Sequence, residues 1–158
     1  MNPQKGKSGA ERLQELTYAE IVGMLTENSD EPYAEQIART IMRYRNKGVY
    51  ISTTTQLREC ITEALSFLPK NEQKETIKKS CQRVFQAIRI DVNSEFEVLY
   101  EFLEKLPNVL APGGRAAILT FHSGEDRLVK RSLRPTPEEC VKNRRARSTK
   151  MRWAVRAE

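Results

Sequence analysis

The run from Ala111 to Arg127, APGGRAAILTFHSGEDR, constrains the fold of this chain more than any other segment. Pro112-Gly113-Gly114 reads as a turn, because glycine reaches backbone angles closed to other residues. Arg115–Phe121 is short and nearly continuously apolar, which fits a strand buried on both faces of a parallel sheet. Ser123-Gly-Glu-Asp126 has the pattern of a helix start, a capping hydroxyl followed by first-turn carboxylates. That helix should run to about Leu133. Turn, strand and helix in this order make one α/β unit, and they gather His122, Ser123 and Glu125 at the C-terminal end of the strand. In open α/β sheets that is the end at which ligands are met. Each residue also has a structural use. Ser123 can cap, Glu125 can complement the helix dipole, and His122 can donate to a local carbonyl. Phe121 is placed to wall a pocket there.

The chain before this unit reads as helical over residues 9–90. Ser8-Gly-Ala-Glu11, Thr17-Tyr-Ala-Glu20 and Thr53-Thr-Thr-Gln56 fit the capping box, in which a hydroxyl and a carboxylate or amide satisfy the free N–H groups of a helix start. Leu13, Leu16, Ile21, Met24 and Leu25 recur at helical spacing. So do Ile37, Ile41 and Tyr44, and then Leu57, Ile61, Ala64, Leu65 and Leu68. Asn46-Lys-Gly48 suits a helix end with glycine as the left-handed cap, and Pro69 closes the next helix. The expectation is four short helices, with polar loops near Asn28–Pro32 and Lys70–Gln73. No fixed period recurs, so they form a small bundle rather than a repeat array. Arg83–Asn93, RVFQAIRIDVN, suits strand or helix equally. Asn93 or Ser94 then caps a helix with Phe96, Leu99, Tyr100, Leu103 and Leu106 on one face. Thr136, Pro137 and Glu139 mark a further helix start, and Ser148–Val155 alternates well enough for a final strand.

Charge is unevenly placed. The formal net charge is +6, yet residues 128–158 alone carry +7 and the residues before them −1. Arg144, Arg145, Arg147, Lys150 and Arg152 stand close together beside Trp153. Arginine forks bind phosphates bidentately and stack on bases, so this segment suits RNA; a solvated loop is the plain alternative. Cys60, Cys81 and Cys140 are far apart and form no CxxC pair, which argues for reduced thiols and against a zinc site. His122 is the single histidine, so a His/Cys metal cluster is not expected. The first ten residues hold no apolar signal core, and no apolar stretch is long enough for a bilayer. A cytoplasmic chain is the expectation, with an organelle left open.

Several strings, in order, resemble the bacterial small-subunit ribosomal RNA (cytosine-N4)-methyltransferases, the RsmH or MraW family. Met1-Asn-Pro3 resembles the end of that family's DMRMDP segment. Phe85–Asn93 resembles FQALRIxVN, and Ala111–Arg127 resembles PGGRLAVISFHSLEDR, with Val129-Lys-Arg131 following correctly. Pro135–Glu139 and Asn143–Arg152 resemble PTxEE and NxRARSAKLR. The resemblance implies a partial Rossmann-like α/β methyltransferase sheet preceded by a small helical insert domain. Residues 5–80 would be the insert that recognises substrate, and residues 81–158 the C-terminal part of the catalytic domain. It also implies S-adenosylmethionine as cofactor and ribosomal RNA of the small subunit as partner, with no membrane. His122, Ser123 and Glu125 would belong to the catalytic pocket, and Arg144, Arg145, Arg147, Lys150 and Arg152 would contact RNA. Three departures stand out. The glycine-rich cofactor loop has no counterpart, so no position here is expected to hold the cofactor. Arg131-Ser-Leu-Arg134 also runs straight into Pro135, where the family has a further strand and loop. Gly124 stands where leucine is usual. The expectation is a truncated methyltransferase that is inactive alone and self-associates through an exposed sheet edge. A non-catalytic RNA-binding or ribosome-associated module is the alternative.

Overall fold

The computed structural model describes residues 6–130 and the backbone of residues 131–132 and 151–155. The chain divides into two compact units, Met1–Ser94 and Glu95–Glu158.

The first unit is helical. It contains α1 (Gly9–Glu15), α2 (Tyr18–Ser29), α3 (Ala34–Asn46), α4 (Thr54–Ala64) and α5 (Lys70–Asn93). All three expected capping boxes form: the hydroxyls of Ser8, Thr17 and Thr53 accept from the N–H three residues on, and Glu11, Glu20 and Gln56 reach back to the cap N–H. These reciprocal bonds fix where α1, α2 and α4 begin. Gly48, at φ +74°, follows the end of α3 as expected. Helix α2 packs on α3 and α5, and α4 on α3 and α5. The periodic apolar residues form one core, with Ile21, Leu25, Ile37, Ile61 and Leu65 wholly buried. Polar side chains close the gaps. The Arg45 guanidinium donates to the Gln14 and Leu16 carbonyls at 2.7 and 2.8 Å, satisfying acceptors at the end of α1. Arg12 pairs bidentately with Asp91 at 2.7 and 3.2 Å, joining α1 to α5. Glu31 is buried, and its Oε1 accepts from the Tyr33 N–H at 3.1 Å and the Ser80 hydroxyl at 2.9 Å.

Three local expectations are corrected in this unit. Lys70–Gln73 is the first turn of α5, not a loop, and Pro69 is the residue before that turn, not the end of α4. A proline has no N–H to lose, so it suits a helix start as well as a helix end. Arg83–Asn93, open between strand and helix in the sequence, is helix, with Val84, Ala87 and Ile88 turned into the core, and five helices stand where four were expected. Ser94 ends α5 in the left-handed conformation at φ +48° and directly precedes the helix that begins at Glu95. Because one helix carries residues 70–93, residues 81–94 pack with the helical unit.

The second unit contains α6 (Glu95–Val109), β1 (Arg115–Leu119), α7 (Ser123–Ser132) and β2 (Met151–Val155). Gly113, at φ +73°, makes the turn into β1, and the Gly114 N–H closes it on the Ala111 carbonyl at 2.8 Å. Helix α6 packs on α7, with Leu103, Leu106 and Val129 buried. The final strand lies over the last part of the expected Ser148–Val155 range and pairs antiparallel with β1, Arg115 opposite Val155 and Leu119 opposite Met151. This corrects the reading of a strand buried on both faces of a parallel sheet. Along β1 the burial alternates, with Ala116, Ile118 and Thr120 inward and Ala117, Leu119 and Phe121 exposed. Nothing among the described residues covers the outer face, so the period of two that side chains take along a strand becomes visible. A parallel Rossmann-like sheet is not present among the described residues. Tyr100, expected on the inward face of α6, is instead half exposed.

Candidate active site at the end of β1

The chain leaves β1 and enters α7 through His122, which acts as the helix cap. The Asp126 N–H donates to the His122 carbonyl at 3.1 Å, and the Glu125 N–H points at His122 Nδ1 at 3.4 Å. Histidine thus fills the capping role expected of Ser123, which lies exposed as the first residue of α7. Glu125 folds back over the same turn. Its Oε2 accepts from the Phe121 N–H at 2.8 Å, and its Oε1 lies 3.3 Å from His122 Nε2. That last approach is close, but it is not aligned as a hydrogen bond, and Nε2 is buried with no hydrogen-bond partner. A Nδ1 that accepts places the proton of a neutral imidazole on Nε2. The Nε2–H therefore faces the carboxylate without being fully satisfied, a state that buried polar groups rarely keep without a reason. Of the two side chains, Glu125 is the more open, at 24% against 12% for His122.

One residue of this site was missed in the sequence. Phe96, from the first turn of α6, lies with its ring 5.8 Å from the His122 ring. It also fills the space over Gly124, where an added Cβ would sit 2.4 Å from the Phe96 Cζ. The signal was Gly124 itself, a glycine inside a helix start with no turn to justify it. Phe121 follows β1 and is 77% exposed, so it flanks the site rather than closing it.

The structure brings His122 and Glu125 together and leaves Ser123 beside them. Arg144, Arg145, Arg147 and Lys150 lie outside the described residues. For Arg152 the backbone alone is described, paired with Ile118 across the two strands. Among the described residues, burial pushes the Cys60 thiol up to about 12 and raises that of Cys81, so neither is a ready nucleophile. Among the described residues no group of His, Cys, Asp and Glu is placed to hold a metal ion, and no helix is long and apolar enough to cross a membrane.

Comparison with known proteins gives the family of the chain. The ribosomal RNA small subunit methyltransferase H 1 of Lachnoclostridium phytofermentans is 59% identical over 174 aligned positions, which take in 99% of this chain and 48% of that protein. The protein of the same name from Agathobacter rectalis is 58% identical over all of this chain and 50% of its own length. A more distant ribosomal RNA small subunit methyltransferase H, from Carboxydothermus hydrogenoformans, is 36% identical over 98% of the chain and 58% of its length. The chain thus spans about half the length of the curated relatives it matches. The alignments with the first two run to 174 and 175 positions against a chain of 158 residues, so the relatives hold residues that this chain skips. The profile of the MraW methylase family matches residues 1–135, and the chain belongs to that family.

Proposed function

We propose that this chain carries the substrate-facing part of an S-adenosylmethionine-dependent methyltransferase acting on cytosine N4 of small-subunit ribosomal RNA in the cytoplasm, and that alone it transfers no methyl group. The helical unit, with the helical insert drawn at residues 5–80, is the RNA-recognition part. Of residues 81–158, those from Glu95 on supply the end of the catalytic domain, residues 81–94 packing with the helical unit. The observation that carries the reading is the His122–Glu125 pair at the end of β1. Methylation of an exocyclic amine releases one proton from the nitrogen, and that proton needs an acceptor. Glu125 Oε1 is the reachable basic atom, while its other oxygen is held by the Phe121 N–H. His122 is the positioning residue, its Nε2 3.3 Å from Oε1 on the buried side of the carboxylate. Ser123 lines the rim.

S-adenosylmethionine supplies the transferable methyl group when bound, but the described residues do not form a site for it. The turn from β1 into α7 contains one glycine, and the Phe96 ring fills the space over it. No glycine-rich strand–turn–helix of the kind that approaches such cofactors is present among the described residues. The residues that hold the cofactor are therefore assigned to the half of the relatives' length that this chain does not match.

Calorimetric titration of S-adenosylmethionine into the chain tests this directly. The expected result is no binding, and no methyl incorporation into undermethylated small subunits. Adding the separately purified other half of a relative should restore incorporation. In that mixture Glu125→Gln should lower the rate by about 100-fold or more. Micromolar cofactor binding by the chain alone would overturn the reading. A second reading, a non-catalytic RNA-binding module, is favoured by the closed core of the helical unit. Salt-sensitive RNA binding with no rescue by the other half would select it.

A further inference from the structure

A groove of about 970 Å³ runs between α4 and α5 in the helical unit. Its rim carries Arg58 from α4 and Lys74 and Lys78 from α5, all exposed. None of the three is paired with a carboxylate among the described residues, although Lys7, Arg12 and Arg43 of the same unit are. The one carboxylate in the groove, Glu75, is engaged by Lys79 at 3.5 Å. The placement runs against local preference in two ways. Lys74 and Lys78 are like charges one turn apart, and they repel. Lys70, in the first turn of α5, adds a cation where the helix dipole is already positive, with Glu72 beside it. An external anion across Lys74 and Lys78 would relieve their repulsion. The floor of the groove is not charged: Ile77 and Phe85 form it, both partly buried, and the Asn71 and Gln82 amides stand beside them.

We infer that this groove binds a single strand of RNA, with Arg58, Lys74 and Lys78 on successive phosphates and the Phe85 ring offered to a base or sugar. Lys74 and Lys78 stand about 6 Å apart along the helix axis, close to the spacing of neighbouring phosphates in an extended strand. Cations along a track with an aromatic surface beneath are the usual means of holding single-stranded nucleic acid. An acidic protein segment would satisfy the cations but would make no use of the ring and the amides. The inference rests on the RNA-directed reading proposed above and gives it an address separate from the basic C-terminal segment.

The test is fluorescence anisotropy of a labelled single-stranded RNA dodecamer with the full chain, across a salt series. The variants are Lys74→Gln with Lys78→Gln, Arg58→Gln, and Lys47→Gln as a cation outside the groove, each checked for helix content. Loss of two phosphate contacts should reduce the slope of log affinity against log salt by about 1.4 and weaken binding about tenfold near 0.15 M salt. Arg58→Gln should give about half that change in slope, and Lys47→Gln none. If the double variant binds like the parent while Arg144→Gln with Arg145→Gln abolishes binding, the groove is overturned and the RNA-directed reading survives. No RNA binding by the parent at low salt overturns both. Equal binding of a polyglutamate peptide in the groove overturns the assignment to RNA.

Discussion

Ile21, Leu25, Ile37 and Ile61 of the helical unit are wholly buried, whereas Leu119 and Phe121 of the α/β unit are 60% and 77% exposed. The helical unit has apolar side chains at its surface too, but Phe67, for example, rests edge-on against Tyr33. In the α/β unit the exposure is systematic. The outer face of β1 is apolar, and α6 turns Val98, Phe102 and Val109 outward while burying Leu103 and Leu106. A helix apolar on both sides belongs inside a larger structure. The difference teaches that the two units meet different requirements: one completes its own core, and the other has faces shaped for neighbours that the described residues do not supply.

The comparison can be broken by unequal responses to mutation. Ile61→Ala should destabilise the helical unit by about 3 kcal/mol, since it empties space in a closed core. Leu119→Ser and Phe121→Ser should change stability by less than about 0.5 kcal/mol, and should reduce self-association measured by light scattering. Equal losses from both kinds of variant in chemical denaturation would erase the distinction. A smaller effect sharpens it. Glu31→Ala should cost about 2 kcal/mol, because the Ser80 hydroxyl and the Tyr33 N–H lose their acceptor in a buried place. Glu31→Gln keeps an oxygen there and should cost less in the same denaturation experiment.

The smallest expected effect is with acid. Bonds from the N–H groups of Ser8 and Thr17 hold the Glu11 and Glu20 carboxyls below their ordinary value of 4.5. A carboxylate with a lowered folded value contributes stability above its unfolded value, and that stability is lost as pH falls through the folded value. Thermal melts of the helical unit should therefore hold steady above about pH 5 and fall below about 4.5. Glu11→Gln with Glu20→Gln should flatten that decline, since an amide can still accept from the cap but does not titrate.

What was legible in the sequence was mostly local. A capping box is contained in four residues, so Ser8, Thr17 and Thr53 could be read without knowing the fold, as could the apolar spacing that fills the helical core. Pro69 was misread because its physical effect is the same at either end of a helix, and what decides is whether the following residues continue. The strand at Arg115–Leu119 was legible as a strand, and its neighbours were not. Its apolar composition says what the segment is suited to sit between, whereas its exposure depends on which surfaces are present to cover it. At the candidate site the sequence grouped His122, Ser123 and Glu125 correctly in space but could not apportion their roles. The cap went to His122 through its ring nitrogen, a geometry that depends on how the chain leaves β1. Phe96 could not be found from spacing, since it reaches the site from another helix.

The contact between Gly124 and Phe96 means that two positions 28 residues apart share one volume. What one gives up, the other fills. A leucine at position 124 cannot be accommodated while the ring stays where it is. Placing a larger side chain at position 124 is therefore a two-step exchange, and whichever step comes first passes through either a clash or a hole beside His122.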